Sequence, residues 1–92
     1  MSEKTVTVLA RNDHREAMRV AAGITIYEHQ VNLVFLHHVV SEEEADSEEA
    51  ELLELVEIAP LTTVEDMQEH LKLISSAELA ALLDQSSFVV NV

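Results

Sequence analysis

The side chains with the most chemical capacity gather into four short groups: Arg11-Asn12-Asp13-His14, His37-His38, Thr62-Thr63 and Ser75-Ser76. Between them they offer imidazole, carboxylate, guanidinium and hydroxyl groups. Imidazole with carboxylate is a donor set for zinc and similar ions, which would draw on Asp13, His14 and either His37 or His38. Adjacent histidines on an extended strand point to opposite faces, so His37 and His38 are not expected to share one ion. An anion would instead use the unpartnered N–H groups that open a helix, with Arg11 or Arg15 adding charge. No Gly-rich loop accompanies them, so the dinucleotide fingerprint is absent and a pyrophosphate would approach poorly. Nucleophilic catalysis lacks its parts: no Gly-x-Ser-x-Gly elbow surrounds Ser75 or Ser76, and the chain has no cysteine. Each group also has a plainer reading. Asn12 or Asp13 suits a helix N-cap, strand-end histidines are often part wet and part buried, and Arg15 and Arg19 can balance acids such as Glu16. His29 and His70 are expected near helix C-termini, where the dipole favours an imidazolium.

These groups matter only if the chain's elements bring them together. Thr5 to Ala10 is short, apolar and β-branched, as a buried strand should be. From His14 to His29 the period changes, with Ala17, Met18, Ala21, Ala22 and Ile26 recurring at helical spacing. Val31 to Leu36 is a second strand with almost no polar relief, the pattern of a strand covered on both faces. Ser41 and Glu44 have capping-box spacing, and either Ser41 or Ser47 can open a helix carrying Leu52, Leu53 and Val56. Ile58 to Leu61 is expected as a short third strand, limited by Pro60, which cannot donate a ladder hydrogen bond. Thr62 with Glu65 is expected to cap a short helix through Met67 and Leu71. Lys72 to Ile74 reads as a fourth strand, Ser75 with Glu78 opens another helix, and Phe88 to Val92 forms the last strand. The order is βαβαβαβαβ.

Strict alternation with short links implies an α/β fold: a three-layer α/β/α sandwich around a mostly parallel sheet of about five strands, joined by right-handed crossovers. The expected core is Val6, Val8, Val20, Leu33, Phe35, Leu53, Leu73, Leu82, Val89 and Val90. In such sheets ligands bind outside the carboxyl ends of the strands. That edge collects the candidate site residues Arg11, Asn12, Asp13, His14, His37, His38, Thr62 and Thr63.

Composition narrows the partners. With 92 residues and 10.3 kDa, one domain over residues 1–92 is expected, with a modest core. Eighteen acids against five bases give a formal charge of −13, which disfavours nucleic acid and anionic membrane surfaces. Twelve of those acids fall between residues 41 and 70 without a Lys or Arg among them. Such a segment is either a docking face for a basic protein or the acidic surface of a protein kept soluble at high salt. Apolar runs such as Leu33 to Leu36 are too short to span a bilayer, and Met1-Ser2-Glu3-Lys4 lacks a signal-peptide core. A cytoplasmic location is expected. Apolar residues near element ends, such as Ile24, Tyr27, Val39 and Val40, suggest self-association or pairing with a related subunit.

The run Lys4 to Ala10 leading into Asn12-Asp13-His14, followed by Glu16-Ala17-Met18-Arg19-Val20-Ala21-Ala22-Gly23, resembles the small DsrE/DsrF/DsrH-like proteins, which include sulfur-relay subunits. Glu28-His29-Gln30-Val31-Asn32-Leu33-Val34-Phe35 and the tail from Lys72 to Val92 extend the resemblance over most of the chain. It implies a three-layer α/β/α fold and assembly through trimeric or higher contacts. Members that carry sulfur use a cysteine in a loop at the carboxyl edge of the sheet. The corresponding place here, near Leu61-Thr62-Thr63, has no thiol, and a threonine hydroxyl cannot form a persulfide. The resemblance therefore implies either a relative with a different task or a non-carrying subunit; the expectation taken is the latter, a non-catalytic binding or assembly subunit without a cofactor, any thiol being supplied by its partner. The competing expectation is a small metal- or anion-binding protein or enzyme built on the strand-end His and Asp residues.

Overall fold

The computed structural model describes residues 4–27, 29–36, 40–67 and 71–92. Thr5–Ala10 (β1) and Gln30–Phe35 (β2) pair in parallel, with Val6 beside Val31 and Val8 beside Leu33. Leu61–Thr62 (β3), Lys72–Leu73 (β4) and Phe88–Asn91 (β5) complete an all-parallel sheet in the order β4-β3-β2-β1-β5. β1 and β2 have a strand on either side and helices above and below, and this is why their sequences carry so little polar relief.

Among the described residues the α-helices that connect the strands are His14–Ile24 (α1), Glu42–Ala45 (α2), Glu48–Leu55 (α3) and Ser76–Gln85 (α4). α1 and α3 cover one face, where Ala17, Met18, Ala21, Ala22 and Leu53 pack on Val8, Ala10, Leu33 and Phe35. α4 covers the other, with Leu79, Leu82 and Leu83 against Leu9, Val34, Leu36 and Ile74. The chain steps one way across the sheet from β1 to β4 and then returns to β5. A right-handed crossover that reverses direction must run over the opposite face, so among the described helices α4 alone lies there. The radius of gyration is 12.3 Å, close to the roughly 12 Å of a compact chain of this length.

Local chemistry sets the element ends. Asp13 caps α1, its carboxylate accepting from Glu16 N at 3.0 Å. α1 stops well before His29: the Thr25 hydroxyl donates to Ala22 O at 2.6 Å and the chain tightens into a 3₁₀ turn over Thr25–Tyr27. Both serine signals are used. Ser41 accepts from Glu44 N and returns its own N–H to Glu44 Oε1, while Ser47 accepts from Ala50 N and opens α3. α3 ends in a Schellman arrangement, with Glu57 N on Glu54 O and Ile58 N on Leu53 O. Glu57 holds the left-handed position that usually takes glycine, at φ 62°. Ser75 and Glu78 form the expected capping box of α4.

Three expectations need correction. The third strand lies past Pro60, at Leu61–Thr62, and spans two residues. Among the described residues Thr62 opens no α-helix: its hydroxyl turns into the sheet, and a 3₁₀ turn forms at Glu65–Met67. Leu73 and Val89, expected in the core, are 37% and 41% exposed because β4 and β5 are the sheet's edges. Val20, Leu82 and Val90 are half-buried, whereas Val6, Val8, Leu33, Phe35 and Leu53 are buried as expected. Ile24 and Val40 pack partly against the core instead of standing uncovered. Val39 and His70 lie outside the described residues. Among the described residues, no helix is long and apolar enough to cross a membrane.

Candidate functional site

Arg11–His14 follow the carboxyl end of β1 and Thr62–Thr63 that of β3, and the side chains of Arg11, Asp13, His14 and Thr62 each have an internal partner. The Arg11 Nε donates to Asn91 Oδ1 at 2.7 Å, and the main-chain N–H groups of Arg11 and Asn12 both reach Val92 O. The turn after β1 is thus tied to the end of β5. Asn12 and Asp13 are exposed, but the Asp13 carboxylate is engaged in capping α1.

Within the Arg11–His14 run, His14 is the least accessible, at 4% exposure. Being the first residue of α1, it leans over the sheet, and its ring meets Phe35 edge-on at a centroid distance of 5.1 Å. Its Nδ1 lies 3.1 Å from Glu44 Oε1, the same oxygen that accepts from Ser41 N at 2.9 Å. Burial pushes the Glu44 carboxyl up, but the Ser41 N–H and the His14 imidazole outweigh it, so the group sits below the ordinary glutamate range. Glu44 is visible in the sequence only as half of a capping box; its second contact, 30 residues away in sequence, has no local signature.

Thr62 is fully buried, donating to Phe35 O at 3.1 Å and accepting from Val64 N at 3.0 Å. It is a fastener between β2 and the turn after β3. Thr63 borders a shallow cleft of about 420 Å³ with Glu65, Ile74, Ser75, Ser76 and Glu78. Since β2 lies between β1 and β3, these threonines are two strand spacings, about 10 Å, from the Arg11–His14 group. His37 and His38 lie outside the described residues. Among the described residues, no three His, Cys, Asp or Glu side chains cluster closely enough to hold a metal ion.

Outside the expected site, two ion pairs cross the α1 surface. Arg15 pairs with Glu49 of α3 at 3.2 Å, and Arg19 pairs with Glu16 one turn back. Arg15 holds Glu49 below the usual carboxylate range, and each acid raises its arginine in turn. A second cleft, about 390 Å³, opens at the opposite, amino edge of the sheet between His29, Gln30, Asn32, Val56, Glu57 and Ile58. Sequence reading missed it, because its walls come from the ends of α1 and α3 and the start of β2.

No family model, curated protein or solved structure matches the chain. What stands is a small α/β protein built on a five-strand parallel sheet.

Proposed function

We propose that this chain is a non-catalytic binding or assembly subunit whose acidic segment, residues 41–70, contacts a basic protein partner. The supporting observation is the internal engagement of the strand-edge groups: Asp13 caps, Thr62 fastens, His14 is enclosed between Phe35 and Glu44, and Arg11 holds Asn91. Chemistry needs such groups presented to a substrate at set geometry. Meanwhile the face formed by α3 and its flanks leaves Glu43, Glu48, Glu51 and Glu54 exposed, with no cation of their own segment beside them. A surface of that kind steers a basic partner into contact and loosens its hold as salt rises. The sulfur-relay resemblance fits the same role: a subunit without a thiol can position a thiol-bearing one.

Tag-free protein tests this against the metal- or anion-site alternative. Mixed with a cysteine-bearing sulfur-relay subunit, the wild-type chain is expected to form a complex that weakens with added NaCl and with the triple change Glu48→Gln, Glu51→Gln, Glu54→Gln. Stoichiometric zinc or manganese, lost in His14→Ala or His38→Ala, would overturn the reading in favour of a metal site.

A further inference from the structure

We propose that the outer edge of β5 is a homodimer seam, two copies pairing β5 antiparallel about a two-fold axis at Val89. β5 borders β1 on one side, and no described strand lies on the other. Main-chain direction identifies which groups face outward. On β1, Lys4 O and Ala10 O receive Gln30 N and Leu36 N at 3.0 Å each, so even-numbered residues turn toward β2 and odd-numbered ones toward β5. Leu9 O accordingly accepts from Val92 N, and Arg11 N donates to Val92 O. Along β5, then, Phe88 and Val90 turn their main chain inward, and Val89 and Asn91 turn theirs outward. These outward groups form a ready ladder.

The side chains favour one register. Phe88 and Val89 are 54% and 41% exposed, although Lys4 Nζ stands 5.1 Å from the Phe88 ring centre. Centring the pair on Val89 sets Val89 against Val89 of the second copy, Phe88 against its Val90, and Ser87 against its Asn91; the Ser87 N–H is already held by Thr5 O at 2.7 Å, so the full two-bond exchange falls on the central Val89 pair. Apolar residues then meet in the middle and polar ones at the ends. Centring on Val90 would instead put Val89 against Asn91.

A second copy is the occupant that the charge distribution admits. Residues 85–92 carry no charged side chain, so the seam itself is neutral; the bases Lys4 and Arg11 stand at its two ends, on the neighbouring strand β1 and the turn after it. Twelve of the eighteen acids belong to residues 41–70, which run from α2 past β3 toward the opposite edge. Pairing through β5 therefore places the two acid-rich halves at the far ends of one ten-stranded sheet, each beyond the screening length of about 8–10 Å. The other edge, β4, is two residues long and carries Lys72. Natural edges of exposed apolar residues normally hold a charge or a proline to prevent pairing, and this one holds neither.

The inference goes beyond the binding-module reading and concerns a separate surface. Sedimentation of the full chain is expected to show a dimer at both about 0.1 M and 1 M NaCl. In a directly opposed, hydrogen-bonded pair the Cα atoms lie about 5.5 Å apart, within disulfide reach. Because the chain lacks cysteine, Val89→Cys should oxidise to a covalent dimer at least about tenfold faster than Leu52→Cys, a control of matching exposure on α3, outside the seam. Val89→Lys should be monomeric with a wild-type circular dichroism spectrum, and Val89→Thr should remain dimeric. A monomer at both salt concentrations, equal cross-linking of the two cysteine variants, or a folded Val89→Lys dimer would each overturn the seam. A monomer that still binds a thiol-bearing partner would leave the binding-module reading intact.

Discussion

Replacing Glu44 probes the contact that closes His14 into the fold. One carboxylate oxygen accepts two hydrogen bonds, from Ser41 N at 2.9 Å and His14 Nδ1 at 3.1 Å. The first is exposed, so water substitutes for it when the side chain is removed. The second ends on an imidazole only 4% exposed, which water cannot reach without rearrangement. A buried polar group that loses its charged partner costs about 1–3 kcal/mol, so Glu44→Ala should destabilise by about 2 kcal/mol. Glu44→Gln keeps one acceptor oxygen and loses only the charge assistance, about 1 kcal/mol, or roughly 4–8 °C in Tm for a domain of this size. The pH dependence follows from the sign of the shift. Glu44 titrates lower when folded than when unfolded. Its ionic contribution is therefore complete above the unfolded value and is lost as pH falls through the folded one. Glutamine does not titrate, so the gap between wild type and Glu44→Gln should be full at pH 7 and narrow progressively once pH falls below the unfolded glutamate value of about 4.3. Urea unfolding followed by circular dichroism at several pH values measures it. A gap that persists unchanged to pH 3, or a Glu44→Gln protein as stable as wild type at neutral pH, would refute the argument.

Two further substitutions test other elements. Glu57 occupies the left-handed position at φ 62° that ends α3, so Glu57→Gly should relieve strain and raise stability by about 0.5–1 kcal/mol, seen as a higher urea midpoint at unchanged slope. Thr62→Val keeps the shape of a fully buried side chain but removes its bonds to Phe35 O and Val64 N. Because Thr63 N still reaches Phe35 O, the loss should be about 1–2 kcal/mol, with faster hydrogen exchange at Val64 as the local sign.

Much of the architecture is legible in the chain. The unbroken apolar runs of β1 and β2, the caps at Asp13, Ser47 and Ser75, and the alternation of strand and helix determine a parallel sheet with helices on both faces. These signals act over a few residues, through hydrogen bonds and periodicities that neighbours in sequence create themselves. The roles of individual residues were decided elsewhere. Thr62 and Glu65 have capping-box spacing, yet the Thr62 hydroxyl is claimed by Phe35 O, 27 residues earlier in the chain. Leu73 and Val89 are as apolar as any core residue, but strand order puts them at the two edges, and no local pattern encodes strand order. Asp13, His14 and Arg11 read as a chemical group because their types suit chemistry. Tertiary packing gave His14 to Phe35 and Glu44, and Arg11 to Asn91, because buried imidazoles and strand-end polar groups must find partners across the fold.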